Sequence, residues 1–148
     1  KSLQRKKINL RCSRRNDKYR KKRTRKSFRS EKFNQTIFLM SLKEGKCEAC
    51  RIDAPTVTAE EKDKFLVELN DWQVILVEGV EQLHKIYKFD SYQDAMKFSQ
   101  CVAVLADHED HHPKIVLEWG KVEVFWWTHK IKGLHKNDFI CAAKTDQI

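Results

Sequence analysis

Glycine and proline are scarce in this chain of 148 residues, which holds four copies of glycine and two of proline. That scarcity excludes a collagen-like repeat and a glycine-rich linker protein. No window approaches 18 uncharged apolar residues, so the sequence predicts no membrane-spanning helix. Glycine-rich phosphate loops and the GxSxG motif of serine hydrolases are also missing. The length suits one ordinary domain rather than two.

Cysteine occurs five times, an odd number that argues against a disulfide scaffold and for a reducing compartment, so we expect a cytoplasmic protein. Cys47 and Cys50 form a single CxxC motif. Zinc sites of this kind generally need two such motifs, and a thioredoxin-like role needs the motif to follow a strand, which residues 41–46 do not resemble. We therefore favour an incidental pairing. Cys101 and Cys141 occupy apolar helical positions and are predicted to be core residues.

The positive charge is concentrated at one end of the chain. Residues 1–39 hold 16 Lys and Arg against two acidic residues, whereas residues 40–148 hold 14 against 19. Like-charge repulsion and few apolar residues predict that residues 1–39 are disordered. Three interpretations stay open: a nucleic-acid-binding arm, an organelle transit peptide, or an extension upstream of a true start at Met40.

Residues 40–57 are predicted to form an irregular lead-in, and residues 58–148 a single domain. Capping signals and apolar periodicity define its elements. In chain order these are a helix at 58–70, strands at 72–77 and 83–89, a helix at 91–112, strands at 115–119 and 122–128, and a helix at 137–144. Strands paired as hairpins predict an α+β fold, in which helices cover one face of a four-stranded antiparallel sheet.

Five of the six histidines fall between positions 108 and 135, and the densest stretch is DHEDHHP at 107–113. Imidazole is the side chain best suited to proton transfer near neutral pH. His111 and His112, at a helix end fixed by Pro113, could point into a shared cleft. A solvated helix end is the alternative. A metal site is not expected, because adjacent histidines are poorly placed to bind one ion and no HExxH pattern occurs.

His129 follows the alternating strand at 122–128, and alternation places it on the same face as Phe125 and Trp127. Asp138, at the start of the last helix, could orient an imidazole or tune its charge. His84 and His135 are interpreted as ordinary surface or edge residues.

A set of spaced motifs runs through the second half of the domain: Asp110-His111-His112-Pro113, Trp119, Thr128-His129 and Asp138-Phe139. Their joint spacing resembles the signature of the pterin-4a-carbinolamine dehydratase family in its bacterial form, over about residues 56–145. The resemblance implies the α+β fold. It also implies a dehydratase that converts 4a-hydroxytetrahydropterin to quinonoid dihydropterin and water, as part of tetrahydrobiopterin recycling for aromatic amino-acid hydroxylases.

The same resemblance implies roles for individual residues. His111, His112 and His129 would be the catalytic imidazoles, with acid and base unassigned among them. Asp138 would support His129 or the pterin, and Trp72 would wall the pocket.

Asp107, Asp110 and Pro113 belong to the same implied site. Asp107 stands where the family often has Glu, and its carboxylate could hold the guanidine-like edge of the pterin. The implied reaction needs no metal and no redox cofactor. A homodimer or homotetramer and a functional link to an aromatic amino-acid hydroxylase are the implied partners. A non-enzymatic binding, coactivator or assembly role is the alternative function.

Overall fold

The computed structural model describes residues 41–48, 51 and 54–148. The basic segment 1–39 and Cys50 lie outside these residues, so the predictions made for them stay predictions. The elements within the described residues are a 3-10 helix at Leu42–Glu44, α1 Ala59–Glu68, β1 Gln73–Val77, β2 Val80–Lys88, α2 Tyr92–Glu109, β3 Lys114–Glu118, β4 Lys121–Trp126 and α3 Lys136–Thr145. This order confirms the predicted α+β fold.

The helices α1 and α2 begin at the capping residues that the sequence indicates. Thr58 Oγ1 accepts a hydrogen bond from the Glu61 amide at 3.2 Å, and the Glu61 carboxylate accepts one from the Thr58 amide at 3.0 Å. This pair is the predicted capping box. Ser91 Oγ accepts a hydrogen bond from the Asp94 amide and caps α2 in the same manner. Both helices therefore start where local side-chain hydrogen bonds satisfy their first free amides.

The four strands form one antiparallel sheet in the order β1-β2-β4-β3. The strand β2 begins at Val80, three residues before the predicted start. The reason is the tightness of the first hairpin, which turns on Glu78 and Gly79 alone, at φ values of 49° and 79°. Two successive residues with positive φ match the right-handed twist of the adjoining strands.

The helices pack on the sheet face that carries Val122, Val124 and Trp126, all fully buried. Alternation along β4 places these three side chains on one face. The helical partners are apolar residues of α2 and α3: Ala95, Phe98, Val102, Ala106, Phe139 and Ile140. The periodicity of α2 predicts a buried stripe at Ala95, Phe98, Val102 and Leu105. The first three are buried as predicted, whereas Leu105 is half-buried and its neighbour Ala106 is buried instead. Cys141 of α3 is buried in the same core.

The described residues 42–48 of the lead-in pack on α3. Gly45 lies so close to that helix that a Cβ there would stand 2.9 Å from Ile140 Cδ1. The buried Asn137 side chain pairs with the backbone of Glu48 in both directions. Its Oδ1 accepts from the Glu48 amide at 3.0 Å, and its Nδ2 donates to the Glu48 carbonyl at 2.7 Å. Tertiary contacts thus fix a segment that has no periodicity of its own.

Replacing Asn137 by Ala is expected to lower the free energy of unfolding by about 1–3 kcal/mol, because both Glu48 backbone groups lose their partner and a buried side chain is truncated. Urea titration of the full chain measures this change. The exposed neighbour Lys136 provides the control, and Lys136→Ala should shift stability by less than about 0.5 kcal/mol. Equal stabilities for the two variants would contradict the anchoring role.

None of the helices in the described part of the chain combines the length and the apolar character that crossing a membrane requires.

Candidate active site

The carboxylate of Asp138, in the first turn of α3, is fully buried and has three hydrogen-bond partners. Its Oδ1 lies 2.5 Å from His111 Nε2. Its Oδ2 accepts from Thr128 Oγ1 at 3.0 Å and from the His135 amide at 2.7 Å. A carboxylate can only accept, so His111 Nε2 carries the proton in this pair. The structure places the Asp138 carboxylate against His111, and not against His129, which the family resemblance implied as its partner.

The end of α2 directs His111 inward. Asp110 adopts a left-handed conformation at φ 50°, which Asp tolerates better than most residues. The amides of Asp110 and His111 both donate to the carbonyl of Ala106, which closes the last turn of α2. The His111 ring is then buried and stacks on Trp126, with 5.5 Å between centroids and 11° between planes. In the structure Asp110 therefore acts as the cap that aims His111.

His112 points outward from the same turn, with 61% of its side chain exposed. Its Nε2 lies 3.6 Å from Oδ1 of Asp107, one turn earlier on α2, and that carboxylate is exposed as well. Pro113 follows His112 and separates it from β3, which begins at Lys114. Solvent weakens such an exposed pair, so both groups stay available to a ligand.

His129 is also exposed, but its position differs from the prediction. The strand β4 ends at Trp126, so alternation along the strand does not determine where His129 points. Thr128 instead forms an isolated bridge with Gly133, and His129 begins the turn between them. The predicted closeness to Trp127 is present nevertheless, since the two rings lie 4.3 Å apart.

Asp138 anchors the two residues that directly precede the exposed histidines. One oxygen of Asp138 holds His111, which immediately precedes the exposed His112. The other oxygen holds Thr128, which immediately precedes the exposed His129. Asp138 therefore fixes two backbone segments that each lead to an exposed imidazole, a side chain suited to general acid–base chemistry.

Two histidines interpreted as ordinary surface residues have structural roles instead. His135 caps α3: its Nδ1 accepts from the Asn137 amide at 3.2 Å, and its own amide binds Asp138. The sequence signal for this cap was Asp138, three residues after His135. This spacing is that of a capping box in which His replaces the usual Ser or Thr. His84 lies on the central strand β2, stacked 4.4 Å from Phe125 and 2.9 Å from a carboxylate oxygen of Glu123.

Trp72 is placed differently from its predicted role as a pocket wall. Its side chain is buried, and its Nε1 donates to Asp146 at 3.2 Å. Asp146 caps the C-terminal end of α3, eight residues or about 12 Å along the helix from Asp138. The structure therefore does not bring Trp72 to the Asp138 carboxylate. Lys85 and Tyr87 complete the cluster around Asp146.

Glu109, the last residue of α2, is a supporting residue that sequence reasoning missed. Its Oε1 lies 2.6 Å from Lys144 Nζ of α3, and it also accepts a hydrogen bond from His108. Burial alone would raise the pKa of Glu109, but these partners outweigh burial and lower the pKa to about 2. The pair ties the end of α2, next to His111, to the helix that carries Asp138.

This depressed pKa predicts an acid-dependent loss of stability. The Glu109 contribution is present above the unfolded pKa of 4.5 and is lost as the pH falls toward about 2. Between pH 6 and pH 3 the free energy of unfolding should fall by about 1 kcal/mol more in the wild type than in Glu109→Gln, after allowance for solvent screening. Urea titrations at both pH values measure the difference. An identical pH dependence in both proteins would contradict this assignment.

Within residues 41–48, 51 and 54–148, no group of three or more His, Cys, Asp or Glu side chains is arranged to hold a metal ion.

The fold and the buried Asp138–His111 pair define an α+β protein with a histidine and carboxylate site. Residues 55–148 match the model of a family described as pterin 4 alpha carbinolamine dehydratase. A protein of Vibrio vulnificus, provisionally named a pterin-4-alpha-carbinolamine dehydratase, is 58% identical over 107 residues, covering 72% of this chain and 97% of its own. A protein of Saccharophagus degradans with the same provisional name is 56% identical over 102 residues, covering 69% and 90%.

Among solved structures, this chain is similar to a transcriptional coactivator/pterin dehydratase from Brucella melitensis. The two share 29% sequence identity and superpose with a TM-score of 0.57, over 63% of this chain and 97% of the other. The chain belongs to the pterin-4a-carbinolamine dehydratase family. The resemblance inferred from the spacing of His111, His112, His129 and Asp138 is thereby confirmed at the level of the family.

Proposed function

We propose that the protein is a dehydratase that converts 4a-hydroxytetrahydropterin to quinonoid dihydropterin and water. The observation that carries the proposal is the buried Asp138 carboxylate, which holds His111 with one oxygen and Thr128 with the other. Each of these residues directly precedes an exposed histidine. Family membership supplies the substrate class, and the site supplies groups of the required chemistry.

The reaction breaks the bond between C4a and the hydroxyl oxygen and also removes the proton from N5. The electron pair of the N5–H bond forms the new double bond to C4a, and the hydroxyl leaves as water after protonation. An acid and a base are therefore needed on neighbouring atoms of one ring system. In the proposal, the exposed imidazoles of His112 and His129 supply them, in either order.

His111 differs from these two because its Nε2 is taken by Asp138. The adjacent carboxylate fixes the orientation of the ring. We propose that His111 supports the proton transfer from this position, with Asp138 as the residue that positions it.

Asp107 lies beside His112 and keeps an exposed carboxylate. We propose that it binds the guanidine-like edge of the pterin, where two N–H groups can meet two carboxylate oxygens. The reaction eliminates water without net electron transfer, so the proposal includes no metal and no redox cofactor. The proposal extends to a cytoplasmic homodimer or homotetramer that receives its substrate from an aromatic amino-acid hydroxylase.

A non-enzymatic binding role is the second candidate, because the structure from Brucella melitensis is described as a coactivator as well as a dehydratase. A binding role would place no demand on Asp138, His112 or His129. If binding were the function, replacing these residues would leave it unchanged, whereas a dehydratase would lose its turnover.

The experiment that tests the proposal follows the loss of 4a-hydroxytetrahydropterin with and without the purified protein. The protein should accelerate dehydration well above the spontaneous rate, and pretreatment with a chelator should leave the acceleration intact. A rate equal to the spontaneous one would overturn the proposed activity. Activity that disappears with the chelator and returns with zinc would overturn the metal-free chemistry.

A further inference from the structure

Two thiols outside the candidate active site lie within reach of each other. Cys47 Sγ and Cys141 Sγ are 3.5 Å apart, although the residues are 94 positions apart in sequence. Cys47 is half-buried in the segment that follows the 3-10 helix. Cys141 is buried in the middle of α3. The fold has thus brought together one reachable thiol and one protected thiol.

Cys47 also contacts α2 and α3, the two helices whose ends carry His111 and Asp138. The Cys47 amide donates to Oε2 of Glu109 at 3.4 Å, and Glu109 is the last residue of α2 before the turn to His111. Cys47 Sγ lies 3.9 Å from the carbonyl oxygen of Asn137, which immediately precedes Asp138. A disulfide between Cys47 and Cys141 would therefore hold the lead-in against Glu109, near His111, and against Asn137, next to Asp138.

We propose that Cys47 and Cys141 are a redox-sensitive pair that forms a disulfide when the protein meets hydrogen peroxide. A disulfide requires the two sulfurs to close to about 2.05 Å, an approach of about 1.5 Å from their reduced positions. Cys47 lies on a short non-helical segment, which can make that approach more readily than α3 can. This inference is independent of the proposed dehydratase activity.

The chemistry divides the roles between the two thiols. The Cys47 thiolate attacks one peroxide oxygen, so the O–O bond breaks, an S–O bond forms and the other oxygen leaves as water. The Cys141 sulfur then attacks the sulfenic sulfur of Cys47, so the S–S bond forms and the S–O bond breaks. The Cys141 proton leaves with the departing hydroxide as a second water. Two electrons pass from the two thiols to the peroxide.

The surroundings of Cys141 fit the second of these roles. The hydrogen bond with Cys47 and burial raise the pKa of the Cys141 thiol, so it stays protonated and is a poor first target for an oxidant. Its fixed place in the core keeps it next to Cys47 while the sulfenic acid forms. The resulting disulfide would close a long loop of chain, which favours stabilisation of the folded state.

The test uses the full chain with Cys50→Ser, which removes the competing thiol of the CxxC motif. After treatment with stoichiometric hydrogen peroxide, free thiols are alkylated and the protein is cut with trypsin. Cleavage at Lys46, Arg51, Lys136 and Lys144 releases Cys47 and Cys141 on separate short peptides. We expect these two peptides to be joined, and the oxidised protein to unfold about 5–15 °C higher than the reduced one. Dithiothreitol should reverse both changes.

Matched controls are Cys47→Ser and Cys141→Ser in the same background, and both should lose the joined peptide and the thermal shift. In the wild-type chain the joined peptide should form as well. The proposal is overturned if both thiols stay open to alkylation after peroxide, or if Cys47 pairs only with Cys50 or with another cysteine. Oxidation of Cys47 to sulfinic acid beside an intact Cys141 thiol would overturn it equally.

Discussion

Replacement of Asp138 by Asn is expected to lower the turnover of 4a-hydroxytetrahydropterin dehydration by about 10²–10⁴-fold. The amide keeps the shape of the side chain, but its NH₂ group donates where the carboxylate accepts. His111 Nε2 must then give up its proton, which reverses the tautomer of the ring. Steady-state turnover, measured with substrate in excess, reports the loss.

The same substitution should cost about 1–3 kcal/mol of unfolding free energy, because one oxygen must replace two as acceptor. Asp146→Asn provides the matched control. Asp146 is a carboxylate at the other end of α3, and it also has three hydrogen-bond partners: the buried Trp72 and the half-buried Lys85 and Tyr87. It should lose similar stability and keep its turnover. Turnover within threefold of wild type in Asp138→Asn would contradict the role of the carboxylate.

Single replacements of His112 and of His111 by Ala should both lower turnover. Only the His111 replacement should also lower the free energy of unfolding substantially. His112 is exposed and makes one weak surface contact, so its loss should change stability by less than about 0.5 kcal/mol while turnover falls by about 10²-fold or more. His111 stacks on Trp126 and pairs with Asp138, so its loss should cost about 2–4 kcal/mol. Urea titration and turnover of both variants measure the two effects.

His108→Ala is the control, because His108 is an exposed histidine of the same run that contacts neither Asp138 nor Trp126. It should keep both stability and turnover. Equal stability losses for His111→Ala and His112→Ala would show that the His111 pair does not exist in solution.

The sequence was sufficient for the order of helices and strands because those signals are local. The capping box at Thr58, the buried stripe of α2 and the alternation in β4 each depend on residues within a few positions of one another. The ends of the strands were predicted less accurately. The tight turn at Glu78 and Gly79 lets β2 start earlier than predicted, and β4 ends at Trp126, before the predicted end at 128. Such ends depend on backbone geometry rather than on periodicity.

The candidate site was predicted in part, and its errors share one physical cause. The spacing of His111, His112, His129 and Asp138 resembles a family signature, which names candidate groups without their geometry. The contacts that sort them into buried and exposed residues join distant parts of the chain. His111 meets Asp138 across 27 positions, and Trp72 meets Asp146 across 74. No local pattern reports contacts of that range.

The cap formed by His135 was hidden for a different reason. Histidine is an uncommon helix cap, so a preference table favours Ser, Thr, Asp or Asn at that position. The signal lay in the partner instead, because Asp138 three residues later completes the capping box. The same carboxylate therefore serves the helix start and the histidine site, which links folding of α3 to the geometry of the site.

The most direct test of this account compares the wild type with a His112→Ala/His129→Ala double variant, in single turnovers with protein in excess of 4a-hydroxytetrahydropterin. Both side chains are exposed, so the variant should fold with Asp138, His111 and Thr128 in place. The account predicts rapid dehydration by the wild type and a rate within a few-fold of the spontaneous one in the variant. A folded double variant that dehydrates the substrate as fast as the wild type would contradict it.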